Sequence, residues 1–197
     1  MTARLTLICH GSTDAVRAAA FPKDEPLDHH GKAAAAKLVG SLPSVDQCWT
    51  GPELRTRQTA EALGLSANIQ PMLRDCDYGR WAGKTFDEVA ASETDAANSW
   101  LHDPAAAPHG GESILELMRR VAGWLADEGA RHNRSIAVTN PAFVRAAVVV
   151  IMAAPAQSFW RVDVRPLSVT RLSGQGGRWN LSAVGCRAVR GYLVEPF

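Results

Sequence analysis

No stretch of this chain is apolar for long enough to span a bilayer. The longest apolar run, Ala146 to Ala154, is nine residues, against the roughly twenty that a transmembrane helix needs. Neither sign of charge dominates. With 21 basic and 20 acidic residues the formal net charge is +1, which gives no support for a nucleic-acid partner. It also provides no long-range field to gather anions, so an anion site must be built locally. Cysteine is sparse: Cys9, Cys48, Cys76 and Cys186 have no metal-ligand spacing, and a chain of 197 residues does not need a disulfide scaffold. Reduced thiols in a cytoplasmic protein are the expectation. An apolar leader with a cleavage site, internal repeats and low-complexity tails are also missing. What remains is an ordinary composition, 46% hydrophobic and 21% charged. It predicts one domain over 1–197 that buries a sizeable core.

Strand and helix signals alternate along the chain. Residues 4–9 read as a buried strand that ends in Cys9-His10-Gly11. Residues 10–27 read as irregular, with a helical turn at Val16–Phe21 and a charged cluster at Lys23-Asp24-Glu25, either a solvated surface loop or a lip of the site opened by His10. Asp28 is placed to cap a helix over Lys32–Val39, and His29 and His30 are assigned a plain solvated role. Val45–Thr50 reads as a strand, and Pro52 as the first turn of a helix over 53–63. A weak strand follows at 67–72. Thr85 and Glu88 form a capping box for the next helix. Residues 84–110 are expected to insert a helix and loop over one face. The clearest amphipathic helix carries Ile114, Leu117, Met118, Val121, Trp124 and Leu125. Ser135–Thr139 is a strand, and Asn140-Pro141 opens an apolar helix over 142–153. Phe159–Val164, Ser168–Leu172 and Arg178–Val184 read as strands, the last two joined by a turn at Gly174–Gly177. The pattern predicts an α/β fold: a three-layer α/β/α sandwich, with a mostly parallel sheet and an antiparallel edge.

Two places carry chemistry by position. His10 sits just beyond a strand, where ligands of open α/β sheets bind. Gly51-Pro52 leads from a strand into a helix whose first turns hold Arg55 and Arg57. A guanidinium there can clamp an anion through two hydrogen bonds. Arg55 and Arg57 are two apart and cannot share a face, so at most one enters a site. The loop Leu73–Gly83, with two acids, Tyr78, Trp81 and two glycines, predicts a specific backbone path. A thiol mechanism at Cys9 with His10 as base is rejected, because adjacent strand residues point to opposite faces.

Taken together these residues resemble the histidine phosphatase superfamily, also called phosphoglycerate-mutase-like, in its small bacterial phosphatase branch. The resemblance covers about 5 to 172. It rests on Cys9-His10-Gly11, on Gly51 to Ala60, on Leu73 to Gly83 and on Gly110-Gly111-Glu112-Ser113. It implies His10 as the nucleophile that becomes phosphorylated, Arg55 as phosphate clamp and Asp75 as general acid. It implies no metal and no cofactor, a small phosphorylated molecule as partner, and no membrane. Nothing matches the longer segments of the family's mutases.

Two positions depart from the pattern. Cys9 stands where the family has arginine, and Asn140 where it has its second histidine. Both would line the phosphate site without carrying positive charge. Arg17, Arg57, Arg80 and His109 are the candidates to compensate. Two readings follow: a metal-independent phosphomonoester phosphatase acting through phosphohistidine at His10, or a non-catalytic member that binds a phosphorylated ligand or a protein partner.

Overall fold

The computed structural model describes residues 2–129, 134–175 and 178–187. Its sheet has six strands: β1 (Ala3–Cys9), β2 (Gln47–Thr50), β3 (Asn68–Ile69), β4 (Arg134–Thr139), β5 (Ser168–Gln175) and β6 (Arg178–Arg187). Their order is β3-β2-β4-β1-β5-β6. The first four pair in parallel, and β5 and β6 add an antiparallel edge. This is the expected sandwich, because the strands alternate in where they point. Leu5, Leu7 and Cys9 of β1 enter one core, and Ile8 enters the other.

The helices divide accordingly. α1 (Asp14–Arg17) is one turn capped by Thr13. α2 (His29–Ala36) and α3 (Leu54–Ala62) cover the smaller core, through Ala35 and Ala60. α6 (Ile114–Gly129) and α7 (Pro141–Ile151) cover the larger one. α4 (Phe86–Ser92) and α5 (Thr94–His102) occupy the region expected as an insertion, and the Thr85/Glu88 capping box is present. Their buried Val89 and Trp100 belong to the larger core.

Several local expectations shift. α2 starts at His29 and ends at Ala36, because Asp28 accepts the backbone N–H of Gly31 at 2.6 Å. The helix lies hard against the loop after His10: a Cβ on Gly31 would fall 2.3 Å from the Ser12 carbonyl oxygen. Pro52 lies outside α3, whose N-cap position is Glu53. Phe159–Val164 is not a strand. Ala156–Arg161 forms a 3₁₀ helix, and the backbone leaves it at Val162. The apolar spacing there serves a different burial: Phe159 enters the core, while Arg145 takes the Val162 carbonyl at 2.9 Å. The turn expected at Gly174–Gly177 lies partly outside the described residues, at 176 and 177.

Register puts the chemistry at two adjacent rungs. Cys9 is opposite Thr139, and Thr50 is opposite Val138. The next residue of each strand continues the ladder, with His10 N–H on Thr139 O and Gly51 N–H on Val138 O. The loops after β1, β2 and β4 therefore leave the sheet side by side, at the carboxyl end where ligands of such sheets bind.

Candidate active site

His10 is 2% exposed. Its Nδ1 lies 2.7 Å from the Gly11 carbonyl oxygen, which can only accept, so Nδ1 carries the proton and Nε2 holds the lone pair. Burial, reinforced by the Arg55 charge, pushes the imidazole pKa down to about 3. The ring is neutral with a free nucleophilic nitrogen across the physiological range. His10 should therefore not titrate between pH 5 and 8, and imidazole ¹⁵N spectra should show one neutral Nδ1–H tautomer throughout. The unfolded chain takes up a proton near pH 6.5 that the folded chain refuses. This contribution to stability is present above pH 6.5 and is lost as pH falls toward 3.

Arg55 is 1% exposed, on the buried face of α3 with Thr56, Thr59 and Ala60. Arg57 lies on the exposed face. Each nitrogen of Arg55 has a protein acceptor. Nε donates to Asn140 Oδ1 at 2.9 Å, Nη1 to the Lys23 carbonyl at 2.5 Å and Nη2 to Asp75 Oδ2 at 2.8 Å. Glu25 Oε1 lies 3.8 Å from Nη1. Of the cluster Lys23-Asp24-Glu25, the first two are exposed as a surface loop would be, while Glu25 is half-buried at the lip of the site. Asp24 also caps α3, accepting the Leu54 N–H at 2.6 Å.

Asn140 occupies the N-cap position of α7, but its side chain makes no capping bond. Its amide instead joins the site. Because Nε of Arg55 can only donate, Asn140 Oδ1 must be the acceptor there. Nδ2 then donates to Glu53 Oε2 at 3.1 Å and to the Leu73 carbonyl at 3.4 Å. Glu53, likewise a cap by position only, accepts the Asp75 N–H through Oε1 at 2.7 Å. Burial raises the Asp75 pKa to about 6; Glu53 adds to the rise and Arg55 opposes it. Asp75 is held by a second bracket. Arg120 binds Glu112 through Nε and Nη2 at 2.8 and 2.6 Å, and donates to the carbonyls of Met72, Arg74 and Asp75.

The remaining expected residues fall elsewhere. The Cys9 thiol is wholly buried in the larger core, has no hydrogen bond among the described residues, and is pushed up by burial. Arg17 is exposed. Arg80 pairs with Glu93 and the Pro108 carbonyl. His109 is boxed by aromatic rings, 4.6 Å from that of Trp100 and 5.0 Å from that of Trp81. None of these four lines the cavity beside His10. Sequence reasoning missed Glu53, Arg120 and Arg145, and named Glu112 only as part of a motif. For Arg145 there was a signal: it is the one charged residue in the helix read as apolar.

The cavity has a volume of about 360 Å³ and is bounded by His10, Glu25, Asp75, Tyr78 and Arg145, with an aromatic and aliphatic wall beyond them. Among the described residues, no group of His, Cys, Asp or Glu is arranged to hold a metal ion, and no helix is long and apolar enough to cross a membrane.

Comparison with known proteins places this geometry. A sequence profile described as histidine phosphatase superfamily (branch 1) matches residues 5–187. Phosphoserine phosphatase 1 of Hydrogenobacter thermophilus is 27% identical over 146 residues, which are 70% of this chain and 69% of that protein. A bifunctional protein of Mycobacterium tuberculosis is 29% identical over 127 residues, 60% of this chain but only 35% of the longer relative. In structure, a mycobacterial glucosyl-3-phosphoglycerate phosphatase solved with VO3 superposes with a TM-score of 0.83 at 24% identity, covering 93% of this chain and 99% of that one.

Proposed function

Since this chain belongs to the histidine phosphatase superfamily, we propose that it is a phosphatase-like binding protein, which takes a small ligand beside His10 without turning phosphomonoesters over at the rate of an intact site. One observation carries this reading. Every nitrogen of Arg55, and the amide of Asn140, is directed at protein acceptors. Phosphoryl transfer needs donors preorganised around the three oxygens that carry the charge. Here three carboxylates, Glu25, Glu53 and Asp75, surround the single clamp arginine. A phosphate dianion entering that network would have to displace them and would meet their negative charge. Each missing donor commonly costs about 10²–10³ in rate.

A second reading keeps the phosphatase, and one observation favours it: His10 is neutral, oriented by Gly11, and has Nε2 free. In that reaction Nε2 would form a bond to phosphorus as the ester oxygen departs with a proton from Asp75. Water would then cleave the phosphohistidine, with Asp75 taking its proton. The two readings separate in one assay. The protein and the mycobacterial glucosyl-3-phosphoglycerate phosphatase are incubated in parallel with p-nitrophenyl phosphate and with phosphoserine. Released phosphate and acid-labile phosphohistidine are then measured. The binding-protein reading expects turnover about 10³-fold or more below that of the control, with no label at His10. A rate within about tenfold of the control, with labelled His10, overturns it.

A further inference from the structure

Arg145 lies on α7 and lines the cavity beside His10. Its Nε is donated to Val162 O, and its Cζ stands 5.8 Å from the centre of the Phe159 ring. Among the described residues, no hydrogen bond takes Nη1 or Nη2, and no carboxylate lies within 4.0 Å. The other charged groups lining the cavity are already satisfied. Glu25 accepts from Thr13 Oγ1 and from the Lys23 N–H. Asp75 accepts from Arg55 and from the Cys76 N–H. The cavity is also lined by aromatic rings: Phe21, Tyr78, Phe86, Trp100 and Phe159, the last beside Arg145 itself. A cation with two planar donors unused, facing a ring-lined space, is an incomplete recognition site.

We infer that this cavity binds a compact apolar, ring-bearing molecule through a single carboxylate paired with Arg145. The inference rests on the ligand-binding reading of the site beside His10. A flat monoanion matches the two free nitrogens of a guanidinium, which favour paired hydrogen bonds. A phosphate dianion does not suit the cavity, because Glu25 and Asp75 border it and Arg145 is its only unpaired cation among the described residues. The volume, near the lower end for small-molecule pockets, holds one ring and a short chain. Offset and edge-on contacts with the aromatic wall would orient the ring. Arg145 is thereby a specificity residue for this site, separate from the Arg55 network.

The test is calorimetric titration of the whole protein with 3-phenylpropanoate, 3-phenylpropanamide, phenyl phosphate and inorganic phosphate. The carboxylate is expected to bind about tenfold or more tightly than each of the others. Arg145→Gln should weaken the carboxylate by about tenfold or more and leave the amide unchanged. Ala15→Phe, on the cavity wall and only half-buried, should fill the ring site and abolish binding of acid and amide together. It serves as the second variant if Arg145→Gln unfolds. Equal affinity for acid and amide, no binding of the acid, or binding indifferent to Ala15→Phe overturns the inference. Tighter binding of phenyl phosphate than of the carboxylate also overturns it. Turnover assays fail independently: efficient hydrolysis alongside carboxylate binding sinks the binding-protein reading alone. Absent hydrolysis with no carboxylate binding sinks this inference alone.

Discussion

Asn140→His should raise phosphomonoester turnover by about 10²-fold, and Cys9→Arg added to it should raise turnover again by a comparable factor. The gain comes from releasing Arg55 as much as from the new ring. Asn140 now accepts from Arg55 Nε and donates to Glu53. An imidazole at 140, beside Glu53, would be held protonated by that carboxylate and would bring a positive donor to the side opposite His10. Position 9 ends β1 immediately before His10, so a long side chain there starts next to the site. A guanidinium starting from a wholly buried strand position must reach the cavity to be solvated, so thermal unfolding has to be followed with activity. The measurement is steady-state hydrolysis of p-nitrophenyl phosphate, with phosphohistidine detected after acid quench. Folded single and double variants with unchanged turnover would show that lost cations are not what limits the site.

The largest effect on stability is expected at Arg120, not at any residue near the cavity mouth. Arg120→Ala should cost about 3–5 kcal/mol, read as a shift in denaturant midpoint at unchanged slope. Arg120 is 9% exposed and grips Glu112 with two bonds. Truncation leaves Glu112 as a buried charge; its other cationic neighbour, Arg74, is half-exposed at 3.4 Å. It also strips donors from the carbonyls of Met72, Arg74 and Asp75. The pair Glu112→Leu with Arg120→Met should cost less than Arg120→Ala alone, because no lone charge is left behind. If Arg120→Ala shifts stability by less than about 1 kcal/mol, the bracket behaves like a surface ion pair and the loop carrying Asp75 is held by other contacts.

These two experiments mark how far the residue pattern reaches. The Gly110–Ser113 segment was recognisable only as a recurring motif. Its role emerges when Glu112 is seen joined to Arg120, eight residues on, and through it to the loop of Asp75. Asn140 reads correctly from sequence as the residue before Pro141 at a helix start, yet the capping chemistry that usually follows does not occur. The side chain finds a guanidinium 85 positions away in sequence, and a charge-assisted bond there outcompetes a local cap. Lys23-Asp24-Glu25 serves both of its readings, surface loop and lip of the site. Three consecutive charged residues usually mean solvent, and Lys23 and Asp24 are indeed exposed, but the Lys23 carbonyl and Glu25 meet Arg55 at the edge of the site. Phe159–Val164 has strand-forming residues, but the segment turns into a 3₁₀ helix that buries Phe159 and gives the Val162 carbonyl to Arg145.

The sequence alone determined the α/β sandwich and the order of its elements, which follow from hydrophobic periodicity and from start and stop signals acting over a few residues. The grouping of His10, Arg55 and Asp75, and Cys9 and Asn140 as departures, came instead from the resemblance of their motifs to the family. Only the tertiary structure decided where the polar groups point. The donors of Arg55 go to Asn140, Lys23 and Asp75, Glu53 completes the ring, and Arg145 is left facing an aromatic cavity. Hydrogen bonds are chosen by distance and angle to within a few tenths of an ångström, among partners 20 to 87 residues apart in the chain. No local pattern encodes that choice; it is settled when the packed core fixes the loops at one end of the sheet.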